Sequence, residues 1–290
     1  MKKFVLLLLA LGVIFIQRQA AQSQSLWMNP QEDRYIWLEI LAPNYNGPDR
    51  FSFTTSTSFL STRYPVWHRP LKVRAVTELS LAHSEVKNAF LEFDPRNGNF
   101  VFASGTDNAF GNPYLGIEVG SPGNYAEKNA LWFVELGIRL PLVADSQEYA
   151  KQIGTFCDLD RTEAFNDSVT TITGRFNYVD RATSGFGLRI RLGPTLFMSN
   201  DSEDDLYLDQ AIMITLEKNI VQAGVAFTAR TLLTGPWFTW SSLTEDQLGF
   251  TTRLTLGKLQ PGLHFRVPLD DDLTRNLQYI YGFNMGFQLP

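Results

Sequence analysis

The sequence predicts an all-β protein, a transmembrane antiparallel up-and-down β-barrel of about 12 strands. Three observations predict it. An export signal is followed by no apolar helix, hydrophobicity alternates with period two in blocks of about ten residues, and the connections sort by length into two alternating sets.

The 290-residue chain begins with Lys2 and Lys3, then an apolar run from Phe4 to Ile16. That run suits the core of a signal peptide and falls short of the roughly 18 residues a membrane helix needs. Polar Gln17, Arg18 and Gln19 follow, and the small residues around Ala21 and Ser23 offer a cleavage site. Residues 1–23 are therefore expected to be a signal peptide and 24–290 a single outer-membrane barrel domain. No later apolar run reaches helix-spanning length, so a crossing of the membrane would have to use strands. Cys157 stands alone, which excludes an internal disulfide and a thiolate metal cluster. A net charge of −5 argues against nucleic-acid binding. Mean hydropathy of −0.11 with 13% aromatic residues suits strands that are apolar on one face only.

Alternation sets the strands. Leu248, Phe250, Thr252, Leu254 and Leu256 point one way, and Gly249, Thr251, Arg253, Thr255 and Gly257 the other. Phe186, Leu188, Ile190 and Leu192 oppose Gly187, Arg189, Arg191 and Gly193, and 277–288 repeats the pattern. A helix would spread those arginines around its circumference, whereas a strand gathers them on one face. The expected strands are 34–41, 50–60, 71–82, 113–121, 130–140, 168–179, 185–198, 206–217, 220–232, 246–258, 260–268 and 276–289. Starting from a periplasmic N-terminus, the turns that should be periplasmic include Ser121-Pro-Gly-Asn124, Thr183-Ser-Gly185, Lys218-Asn219 and Gln260-Pro-Gly262. The opposite set, 42–49, 83–112, 141–167, 199–205, 233–245 and 269–275, holds every long connection. Aromatics near strand ends are expected to form interfacial girdles: Trp27, Tyr35, Trp37, Tyr64, Trp67, Tyr114, Trp132, Tyr178, Trp237, Trp240, Tyr279 and Tyr281.

If the apolar face meets lipid, the other face lines the interior. Its candidate pore residues are Arg74, Glu78, Glu118, Glu135, Arg139, Arg175, Arg189, Arg191, Arg230, Arg253 and Arg266, accompanied by Lys72, Asp209, Glu217 and His264. Basic groups outnumber acidic ones, which points to a channel for small anionic or aromatic solutes. The same residues also fit a ladder of Arg–carboxylate pairs that stiffens and occludes a narrow barrel. Segment 146–165 carries Tyr149, Ile153 and Phe156 at helical spacing; a short helix there would plug, constrict or cap the barrel mouth. The acidic runs at 199–205 and 270–272 fall on the predicted outer side, where a solvated turn or a divalent-cation contact is expected.

Catalysis has little support. Only His68, His83 and His264 are present, and a lipid-hydrolysing couple would have to form at His83-Ser84, without a GxSxG elbow. No nucleotide or zinc motif occurs, so neither a cofactor nor a metal is expected.

The stretch Gly111-Asn-Pro-Tyr-Leu-Gly-Ile-Glu118 resembles the strand opening "GD-x-x-LG" of the outer-membrane transporters of the MetA-pathway phenol-degradation family, with Asn112 in place of the usual Asp. Leu136-Gly-Ile-Arg-Leu-Pro-Leu142 and Pro261-Gly-Leu-His-Phe-Arg-Val-Pro-Leu269 are similar to that family's proline-terminated strands. The resemblance implies a barrel in the cell outer membrane that transports organic solutes. Its expected partners are outer-membrane lipids and lipopolysaccharide, the barrel-assembly machinery, for which Phe287 would be the terminal aromatic, and a small-molecule solute.

Overall fold

A computed structural model describes residues 34–45, 52–94, 99–121, 130–143, 148–182, 184–199, 203–234, 244–270, 274 and 277–289. The expected signal peptide, Trp27, Trp237, Trp240, Asp201, Asp271 and Asp272 lie outside them. The described residues form β1 (Tyr35–Tyr45), β2 (Ser52–Trp67), β3 (Lys72–Asp94), β4 (Asn99–Phe110), β5 (Tyr114–Gly120), β6 (Ala130–Arg139), β7 (Val169–Arg181), β8 (Phe186–Ser199), β9 (Asp205–Lys218), β10 (Val221–Leu232), β11 (Thr244–Leu254), β12 (Leu259–Pro268) and β13 (Leu277–Gln288). An α-helix, α1 (Glu148–Cys157), and a short 3-10 helix at Thr162–Ala164 lie between β6 and β7.

Each strand pairs antiparallel with its neighbours, and β1 closes the sheet against β13 from Tyr35 opposite Gln288 to Tyr45 opposite Leu277. The ring has 12 positions although 13 strands are seen, because β4 and β5 share one edge of β3. Lys72–Glu78 of β3 pair with β5, while the rest of that long strand, from Leu81 onward, pairs with β4. The connection expected at 83–112 is thus a strand pair that extends the wall beyond the barrel mouth. Likewise 61–67, which falls in the connection 61–70 between the expected strands 50–60 and 71–82, continues β2.

The break between β4 and β5 has a local cause. Pro113 has no N–H to offer a ladder. Gly111 N instead donates to Ser80 O (2.9 Å) and Asn112 N to Ala164 O (2.7 Å), which turns the chain toward the segment following α1.

Burial follows the period of two. Outward positions carry Leu60, Ile117, Leu136, Ile172, Ile214 and Leu263, each more than 40% exposed. Among the described residues the outward-facing charges Asp180, Lys218 and Asp246 stand at strand ends and Glu85 in the part of β3 that pairs with β4, so none of these four rings the waist. An apolar belt with its charges inside is the arrangement lipid imposes, since a charge at the midplane costs about 2–4 kcal/mol.

The girdle expectation divides by face. Tyr64, Trp67, Trp132 and Tyr281 are exposed, whereas Tyr35, Trp37 and Tyr114 turn inward and are at most 5% exposed. Tyr35 and Trp37 share a face with Glu39, so alternation, not nearness to a strand end, decides their direction. Leu277 also lies inside, where the β1–β13 register shifts.

Candidate functional site

All eleven expected lumen residues turn inward and are at most 6% exposed. They are joined by Glu39, Arg63 and four residues from the segment after α1: Asp158, Asp160, Arg161 and Glu163. This segment enters the barrel, which resolves the choice between plug and cap. The chain α1 to Phe165 lies across the lumen, with Ala150, Cys157, Ala164 and Phe165 fully buried. Of these, Ala150, Ala164 and Phe165 meet Leu41, Phe59, Ala82, Ala109, Val143, Leu277 and Ile280 in a small apolar core inside the barrel.

The segment is fastened on two sides. On one side, Arg161 stacks over Phe59 with its guanidinium carbon 3.6 Å from the ring centroid, donates to Glu78 Oε2 (2.8 Å) and pairs with Glu39. Glu78 also receives Arg139 (2.6 Å) and Ser61 (3.1 Å). Toward the other side, Arg266 of β12 bridges Asp158 (2.6 Å) and Glu39 (3.2 Å). Arg230 of β10 donates to Glu163 (2.9 Å), Thr162 (2.8 Å), the Asp160 carbonyl (3.1 Å) and Asp209 (2.8 Å). In ring order β3 and β10 are six positions apart out of 12, so the two fastenings face each other across the bore.

Burial alone would push these carboxyls toward neutrality. For Asp158 burial is outweighed by Arg161 and Arg266, which hold its carboxyl below the usual range. Asp160 goes the other way, raised by burial and by its neighbour Asp158.

Asn112 clamps the base of the insertion. Its Oδ1 accepts from Leu142 N (2.7 Å) and Val143 N (2.9 Å), where the chain leaves β6. Its Nδ2 donates to the carbonyls of Glu163 (3.1 Å) and Asn166 (2.5 Å), where the chain returns. The side chain is fully buried. Every hydrogen-bonding site of the amide is used, and two of them require a donor.

Nearer the short-turn end, Glu118 pairs with Arg63 and Arg74 (2.9 Å), and both arginines lie against the Phe133 ring. Arg191 reaches Glu135 (3.0 Å), and Asp209 receives Arg175 (2.7 Å). Tyr114 donates to Glu135 across the two glycines of the sequence patches: a Cβ on Gly137 would stand 2.0 Å from the Tyr114 hydroxyl oxygen, and one on Gly116 2.9 Å from its ring. These glycines are needed for close approach rather than for backbone freedom.

Glu39 shares the inward face with Trp37 and Leu41, a placement that the period of two makes legible although the strand reads as mostly apolar. Arg63 falls in the connection between the expected strands 50–60 and 71–82. Asp158, Arg161 and Glu163 carried no periodic signal. His83 and Ser84 do not form a couple: His83 faces outward with Nδ1 2.8 Å from Asn108 Oδ1, while Ser84 is buried inside. Adjacent strand residues point to opposite faces. His264 lies inside, 3.6 Å from Glu39. Among the described residues, no three acidic, His or Cys side chains gather as a metal site.

No family model matches the chain, and no curated protein matches it by sequence. Solved structures do match. An outer-membrane channel from Pseudomonas putida F1 aligns over 92% of this chain and 99% of its own, with TM-score 0.58 and 7% identity. The β-domain of a Bordetella autotransporter aligns over 89% of this chain and all of its own, with TM-score 0.50 and 8% identity. At such identities the likeness is one of fold, and the fold is that of a bacterial outer-membrane β-barrel.

Proposed function

We propose that the protein is an outer-membrane channel for small solutes, kept shut by its own inserted segment. The observation that carries this reading is the chemistry of the lumen. A barrel built only for rigidity gains little from buried ion pairs, since well-packed apolar side chains do as well or better. Here a charged interior is crossed by a separable segment fastened at both ends, which is the form of a gate. The channel nature of the Pseudomonas neighbour and the resemblance to phenol-degradation transporters favour organic solutes, at the level of analogy. The anion preference expected from the surplus of arginines is weakened, because Glu39, Asp158, Asp160 and Glu163 face the same space.

A second reading, a structural barrel with an occluded lumen, draws on the burial of all the candidate pore residues. Planar-bilayer recordings of the full chain and of Arg161→Ala separate the two. The channel reading expects rare, brief openings for the full chain and frequent ohmic steps for the variant. A folded variant as silent as the parent supports the occluded barrel. Lipid turnover would revive the hydrolase reading.

A further inference from the structure

Between the inserted segment and the upper ends of β8–β11 lies a cavity of about 380 Å³ at the long-connection end of the barrel. The segment contributes Thr162 and Asp167, and the barrel Glu203, Asp205 and Glu245. One wall is an aromatic pair, Phe197 and Tyr207, with ring centroids 4.8 Å apart. Arg230 reaches the floor, and its charge is already engaged by Asp209 and Glu163. Asp167 is engaged by Lys151, so the negative potential of the space comes from Glu203, Asp205 and Glu245. The rings already accept a cation, since the Arg230 guanidinium carbon sits 5.7 Å and 6.0 Å from their centroids.

We propose that this cavity binds a small organic ammonium ion, and so names the solute class of the channel reading on which it rests. Two independent features select that class. The carboxylates come from β9, β11 and the connection before β9 around a space of about 380 Å³, which has room for a cation larger than an inorganic ion. The aromatic pair offers an apolar, electron-rich face for the alkyl part and the charge of an amine, which a carboxylate ring alone would not. The occupant would also lie against Thr162 and Arg230, the residues that fasten the segment to β10, so its arrival bears directly on the gate.

The test is calorimetric titration of the full chain in detergent with putrescine, using 1,4-butanediol and succinate as neutral and anionic probes of the same length. The proposal expects saturable 1:1 binding of putrescine only, weakened at least ten-fold in Asp205→Asn/Glu245→Gln and in Tyr207→Ala, with each variant still showing the heat-modifiable mobility of a folded barrel. Absence of saturable putrescine binding, equal binding of butanediol, or affinity unchanged in the variants would overturn it. Binding without conductance leaves this site standing and removes the channel; conductance without binding does the reverse.

Discussion

Asn112→Asp is a single-atom exchange that tests the inserted segment at its base. Aspartate keeps the acceptor used by Leu142 N and Val143 N but loses both donors to the Glu163 and Asn166 carbonyls. Each buried carbonyl left without its donor costs about 1–3 kcal/mol. The new acid must also bury its charge beside two carbonyl oxygens or take up a proton. A total of about 3–5 kcal/mol against the seated segment is expected by this reasoning, which at about 1.4 kcal/mol per ten-fold raises the displaced population by roughly 10² to a few times 10³. Cys157, fully buried on α1 and the only cysteine in the chain, reports that population. Reaction of Cys157 with a charged thiol reagent, measured in lipid vesicles, should be slow in the parent and faster by about that factor in the variant. Equal labelling rates in two folded proteins would refute the clamp.

Other expectations follow from the same geometry. Asp209→Asn removes the carboxylate shared by Arg175 and Arg230, and should cost about 3–5 kcal/mol by the rule for breaking a buried pair, read as a lower unfolding midpoint in urea. Leu136, 62% exposed on the outer face, should tolerate Phe, whereas Leu136→Arg should lose about 2–4 kcal/mol in refolding into vesicles. Gly137→Val places methyl groups where the Tyr114 ring lies; adding Tyr114→Ala should recover much of the lost stability, and no recovery would mean the contact is unimportant.

The wall of the barrel was legible because lipid enforces a period of two on every strand. Ile190, Arg191 and Leu192 alternate unambiguously, so fold class, strand faces and the inward arginines could be read residue by residue. Illegibility began where that constraint ends. The upper part of β3 and its partner β4 stand beyond the mouth, and the polar run Ser104–Asn108 resembles a loop in composition. The interior network depends on which carboxylate meets which guanidinium across the bore, and sequence spacing says nothing about such pairs. Arg161 and Asp158 gave no sign of being the residues that span it. Asn112 was visible only as a departure from the usual Asp. The structure supplies its meaning: a backbone that returns two carbonyls to this point needs an amide that donates.

In the channel reading, residues 148–165 close an otherwise passable bore. Replacing them with a flexible Gly/Ser linker of equal length and recording single channels in planar bilayers tests that claim most directly. The account predicts a long-lived ohmic conductance from the replaced barrel and near silence from the parent. Identical traces from the two, with both barrels folded, would contradict it.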